Sequence, residues 1–177
     1  PRSGTGFEHE MGTGDGYGYT VNLPLPQYTD DEAYVKAFTA VYPPLVEAFR
    51  PQIVVAQIGL DTLKRDPLTN LRCTNNGYRE VISMIKASCP KILALGGGGY
   101  SIPDVVRGWT IAWAVLNGLE PQDDSATTEP AQDGTGEKLL DEPYRISPGL
   151  KDAVNRFIDA KIAFIHSTVF PVLGAHP

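Results

Sequence analysis

The stretch KILALGGGGYSIPDVVRGW, residues 91–109, passes from a short apolar segment through four glycines to a tyrosine and then into a helix start. Ile92 to Leu95 reads as a strand, Ser101 and Pro103 open a helix, and the glycines between form a loop that sets Tyr100 at the strand's carboxyl end. Upstream, Ile53 to Ile58 is a second apolar run, bounded by Pro51 and Gly59, as expected of a strand buried on both faces of a parallel sheet. Asp61 stands just beyond it. Between the strands, Thr74 can cap a helix on which Tyr78, Val81, Ile82 and Ile85 share one face, and Pro90 stops it. Alternating strands and helices call for right-handed crossovers. They predict an α/β fold of three layers, a mainly parallel sheet with helices on both faces. In such sheets chemistry gathers outside the carboxyl ends of the strands, where Asp61 and Tyr100 both fall.

Working outward, Val105, Val106, Trp109, Ala112, Trp113 and Leu116 form an apolar stripe on the helix after Tyr100, and Gly118 ends it. Toward the amino end, Tyr19, Val21, Leu23 and Leu25 alternate with polar residues and Pro24, which predicts an edge strand. Thr29 and Glu32 are spaced as a capping box for a helix carrying Phe38, Val41, Leu45 and Phe49, which Pro43 and Pro44 should kink or divide. Residues 119–146, rich in Asp, Glu, Pro, Gly and Thr, read as a solvated surface loop. Leu150, Val154, Phe157, Ile158, Ile162 and Ile165 then mark an amphipathic docking helix followed by a loose end. The organisation expected is therefore a main unit over 1–118, the loop over 119–146, and the docking helix and tail over 147–177.

The 177 residues allow one domain, and a net charge of −6 with no basic run argues against direct nucleic-acid binding. No apolar run approaches the ~18 residues that cross a bilayer, so no membrane partner is expected. Cys73 and Cys89 lack metal-ligand spacing and read as structural thiols of a reducing, cytoplasmic compartment. The chain opens on Pro1 without a methionine or a secretory signal, and further sequence is expected upstream.

Val54 to Leu63, Asp66-Pro67-Leu68, Gly96 to Tyr100 and Arg107 to Thr110, with Ser3 to Gly6 and Tyr19 to Leu25 upstream, resemble the carboxyl-terminal half of the histone deacetylase family, of the arginase/deacetylase superfamily. Pro24-Leu25-Pro26, Tyr28 to Tyr34 and Asp66 to Thr69 point to its acetoin-utilisation branch. The resemblance implies a hydrolase that removes acetyl groups from acetyl-lysine on a protein, or from a small acetylated amine, with a metal-bound water as nucleophile. Zinc is the implied metal, Fe(II) the alternative. By resemblance Asp61 is a metal ligand, and Tyr100 is the catalytic residue whose hydroxyl donates to the acyl oxygen as charge develops. Leu68 and Gly98 are assigned to the substrate channel. The family's paired general acid-base histidines and its Asp-x-His metal ligands have no counterpart here, which makes the amino-terminal half of the same domain an expected partner. His9, His166 and His176 read as solvated surface residues.

Other readings stay open from the residues alone. Asp61 could cap a turn, Tyr100 could be a packed loop residue, and the glycines could serve only close packing. A nucleotide- or phosphate-binding α/β domain would use the same glycine loop, but a Gly-x-Gly-x-x-Gly pattern starting at Gly96 meets Ser101 at its last position. A third reading is a non-catalytic fragment or scaffold. The chain alone is expected to hydrolyse no acetyl-lysine peptide, even with zinc added.

Overall fold

The computed structural model describes residues 5–122 and 138–177. A one-turn 3₁₀ segment at Gly14–Gly16 precedes helix α1 (Asp31–Phe49), followed by β1 (Val54–Gln57), α2 (Asn75–Ser88), β2 (Ile92–Leu95) and α3 (Ile102–Leu116). Helices α4 (Pro148–Thr168) and α5 (Phe170–Leu173) close the chain. The strands pair in parallel from Val54 opposite Ile92 to Gln57 opposite Leu95.

Alternation along each strand decides what the sheet buries. Val54, Ala56 and Ile92 pack into a core with Tyr78, Val81, Ile82 and Ile85 of α2 and Ile111, Ala112 and Val115 of α3. The other face differs from expectation. Val55 is 59% exposed, and Leu93 and Leu95 are exposed beside it, so the strand read as buried on both faces is covered on one. No described residue lies there to bury them. The α3 stripe splits for the same reason: Ala112 is buried, whereas Val106, Trp109 and Trp113 are exposed.

Helix α1 lies between two partners, giving Phe38 and Tyr42 to the sheet-side core and Ala33, Ala37 and Val41 to a second core. There Val154, Ile158, Ile162 and Ile165 of α4 meet it at the spacing read from the sequence, while Phe157 stays exposed beneath the ammonium of Lys161. Lys36 pairs with Asp159 at 2.5 Å and Lys151 with Glu32 across the same seam.

Several local expectations change. Asp30, not Thr29, caps α1: its Oδ1 accepts from the Ala33 amide at 3.1 Å, while the Thr29 hydroxyl donates to the Pro26 carbonyl. Glu32 is drawn instead to Lys151. Helix α1 is not divided at Pro43 and Pro44; both lie within its 19 residues. Val21, Leu23 and Leu25 form no strand, because no described strand lies alongside, and they pack on the α1–α4 core. The chain after α4 is docked, with Phe170 and Ala175 buried. His166 is also no solvated residue: its ring lies 4.4 Å from that of Phe170 and its Nε2 sits 2.8 Å from the Ala40 carbonyl oxygen. Cys73 and Cys89 are buried free thiols. Of the loop read over 119–146, residues 123–137 lie outside the described residues, as do Ser3 and Gly4. Part of its end is covered, since Leu139 and Leu140 pack on the sheet-side core and Asp141 accepts from the Asn75 amide at 3.0 Å, while residues 142–145 are exposed as expected.

Candidate active site

The strand register brings the ends of β1 and β2 together, and glycine lets the loops that follow touch. A Cβ built on Gly97 would fall 2.7 Å from the Gly59 Cα, and one on Gly98 only 2.2 Å from Asp61 Oδ2. The Leu60 amide donates to the Gly98 carbonyl at 2.6 Å, which stitches the two loops. Gly99, at φ +139°, turns the chain toward Tyr100 in a conformation that side chains rarely adopt. Gly108 of α3 admits the Leu60 side chain, since a Cβ there would meet Leu60 Cδ2 at 2.4 Å. The glycines therefore do serve close packing, and that packing seats Asp61.

Asp61 is half-buried against the glycine loop. Its backbone carbonyl accepts from the Thr69 hydroxyl at 2.5 Å, but no described residue donates a hydrogen bond to its carboxylate. Burial raises the pKa of the neighbouring Tyr34 hydroxyl, and the charges of Cys73 and Asp61 add to that rise. A carboxylate left without internal donors is suited to an external ligand. It is one donor only: among the described residues no group of three or more His, Cys, Asp or Glu is placed to hold a metal ion. These residues alone do not fit a resident zinc, which takes three protein ligands in catalytic sites. A negative charge against Gly98 also opposes phosphate in the loop.

Tyr100 lies at the same end of the sheet, with its side chain in the open and the residue 55% exposed. Leu68, on the loop between β1 and α2, is 69% exposed, so neither is a packed core residue. What holds them was not foreseen from the sequence. Asp66, only 6% exposed, accepts from the Tyr100 amide through Oδ2 and from the Leu68 amide through Oδ1, both at 2.8 Å. The Asp-Pro-Leu motif is a signal for the local turn, in which an Asp side chain bonds the backbone two residues on. The bond to Tyr100 spans 34 positions and has no local signature.

Beneath the loops, buried Asp104 in the first turn of α3 binds Arg65 and Arg107, and Arg107 reaches Asp141 at 2.8 Å. Burial acts to raise the Asp104 pKa, but hydrogen bonds from the two guanidinium groups outweigh it and hold the carboxyl below its ordinary range. The Arg107 guanidinium is correspondingly held in its charged form by Asp141 and Asp104, against the effect of burial. This network fixes the start of α3, and with it the far end of the loop that carries Tyr100.

Residues 1–116 match the histone deacetylase domain family. The acetoin utilization protein AcuC of Staphylococcus xylosus is 38% identical over 124 residues, 67% of this chain and 32% of that protein. Its Bacillus subtilis counterpart is 36% identical over the same shares. The crystal structure of the HDA15 HD domain superposes with a TM-score of 0.67 at 28% identity, covering 97% of this chain and 41% of that one. The chain thus spans about a third of the length of the curated relatives it matches. With an α/β fold built on a parallel sheet and helices, and with this domain match, the chain belongs to the histone deacetylase family, on its acetoin-utilization branch.

Proposed function

We propose that this chain forms the carboxyl-terminal portion of a metal-dependent deacetylase domain, which removes acetyl groups from acetyl-lysine on proteins or from a small acetylated amine. Asp61 is one ligand of the metal, zinc or Fe(II), and the remaining ligands and the general acid-base pair come from outside the described residues. A metal held there by Asp61 together with ligands from elsewhere would supply an activated water and a polarised acyl carbonyl. Tyr100 donates a hydrogen bond from its hydroxyl to the acyl oxygen, which gains charge as the carbonyl is attacked. Leu68 and the backbone at Gly98 border the substrate's aliphatic stem.

What supports this reading most directly is the contact of Gly59 with Gly97 and of Asp61 with Gly98, which brings a carboxylate without internal donors to the sheet end that also bears Tyr100. The bare sheet face of Val55, Leu93 and Leu95 supports a partner unit of the same domain. The test compares variants of the complete enzyme on an acetyl-lysine peptide. Asp61→Ala is expected to lose metal, whereas Tyr100→Phe keeps metal and slows turnover by roughly a hundredfold or more, the loss typical of an oxyanion donor. Normal turnover by Tyr100→Phe would remove its role. The 177-residue chain with zinc is expected to show no turnover, and metal-dependent turnover by it would overturn the division of ligands.

A further inference from the structure

Tyr100 hangs from a loop whose own glycines supply no side chain to hold it. Four successive glycines carry no side chains to pack, and Gly99 sits at φ +139°, so the position of the Tyr100 Cα is soft unless the backbone is tied from outside. Two ties exist. The Gly98 carbonyl is held by the Leu60 amide at 2.6 Å, and the Tyr100 amide is held by Asp66 Oδ2 at 2.8 Å. The first links main chain to main chain and uses no side-chain atom. The second depends on one buried carboxylate.

Asp66 is itself fixed before it acts. Its amide donates to the Leu63 carbonyl at 3.0 Å, and its other oxygen closes the turn onto Leu68. Leu63 in turn pairs with Cys73 across the base of that loop. Both donors to Asp66 are backbone amides directed at separate oxygens, so a carboxylate satisfies both, whereas a carboxamide has one acceptor oxygen and turns an N–H group toward the other amide. Asn at this position fits the space and breaks the geometry. Because hydrogen bonds to ionised groups are about twice as strong as neutral ones, the carboxylate is the stiffer tie.

We propose that Asp66 is a positioning residue that sets Tyr100, and with it Leu68, against the substrate; this rests on the role proposed above for Tyr100. Asp66 touches no reacting atom. It fixes the Cα from which the phenol is aimed, and a displacement of about 1 Å at a reacting group can slow catalysis on the order of a hundredfold.

The complete enzyme is assayed on an acetyl-lysine peptide as wild type, Tyr100→Phe, Asp66→Asn and the double variant, with metal content measured in each. Asp66→Asn is expected to keep its metal and to lower kcat roughly ten- to hundredfold. In the Tyr100→Phe background the same substitution is expected to cost less than about threefold, because the group it aims is already gone. Equal losses in the two backgrounds, or an unchanged kcat in Asp66→Asn, would overturn the inference while leaving the role of Tyr100 standing. A Tyr100→Phe single variant with normal turnover would instead overturn that role and the inference with it. Should Asp66→Asn not fold, amide exchange in the wild-type enzyme decides: the Tyr100 amide, on an exposed residue, is expected to be protected at least about tenfold. Free exchange there would overturn the proposal.

Discussion

The two faces of the β1–β2 pair carry similar residues and meet different fates. On one, Val54, Ala56 and Ile92 lie under Tyr78, Val81, Ile82 and the buried side of α3. On the other, Val55, Leu93 and Leu95 face outward with Trp109 and Trp113 exposed nearby on α3. Alternation only assigns these side chains to opposite faces; because the residues on both are mainly apolar, it is the presence of a covering layer that makes one face a core. A sheet with one finished face is a stable platform for Asp61 and Tyr100 and, on its other side, an adhesive surface.

The sharpest test of the difference is a pair of truncations in the 177-residue chain, read by urea unfolding. Ile82→Ala, at a position 1% exposed, is expected to cost about 2–5 kcal/mol through lost burial and the cavity left behind. Were it to cost no more than a change at Val55, the covered face would not be the core.

A second test addresses the end of the sheet, where the covered side is bound to the loops. Asp104→Ala leaves Arg65 and Arg107 without their shared partner, and a loss of about 1–3 kcal/mol is expected, reduced because Arg65 is partly exposed. The pH dependence has a definite sign. The folded pKa of Asp104 lies below its unfolded value, so its contribution is present above the ordinary carboxylate range and is lost as pH falls through the folded pKa. Asp104→Ala should therefore flatten the acid limb of the stability profile and leave the slope near neutrality unchanged. An acid limb identical to wild type would assign that limb to other carboxylates.

Gly98→Ala probes the contact that seats Asp61. Its Cβ would overlap Asp61 Oδ2, and the carboxylate must swing away or the loop must shift, for about 1–2 kcal/mol. In the complete enzyme metal affinity should fall with it. Unchanged metal affinity would separate the glycine contact from the ligand role of Asp61.

Sequence made the covered half of this comparison legible and the bare half not. The spacing of Tyr78, Val81, Ile82 and Ile85 located α2 and its buried side, and Thr74 located its start, because both signals are local. The two strands and the placing of Asp61 and Tyr100 at their ends followed from the apolar runs and glycines. The α3 stripe misled at Trp109 and Trp113, since periodicity reports which residues would gain from burial and not whether anything lies against them. Val21 to Leu25 show the same fault, an alternation with no described strand to pair with. Thr29 lost the α1 cap to its neighbour Asp30, a choice between two competent caps that only backbone geometry makes. Asp66 was visible as part of a motif, but its bond to Tyr100 joins loops that meet only after the strands have paired.

The smallest expected effect is on the bare face, and it bears most directly on the comparison. Val55→Thr keeps the shape of the side chain and Leu93→Thr shortens it, and both stay compatible with a strand while removing apolar surface. In the 177-residue chain each should change unfolding free energy by less than about 0.5 kcal/mol, because both residues are more than half exposed, and each should lessen self-association in sedimentation. In the complete enzyme the same substitutions should cost at least about 1 kcal/mol, because a hydroxyl is then placed under whatever layer covers the sheet. The quantity that matters is the difference between the two settings. Equal costs in both would mean that nothing packs on Val55 and Leu93 in the complete protein, and the two faces would differ by design of the fold instead of by the absence of a partner.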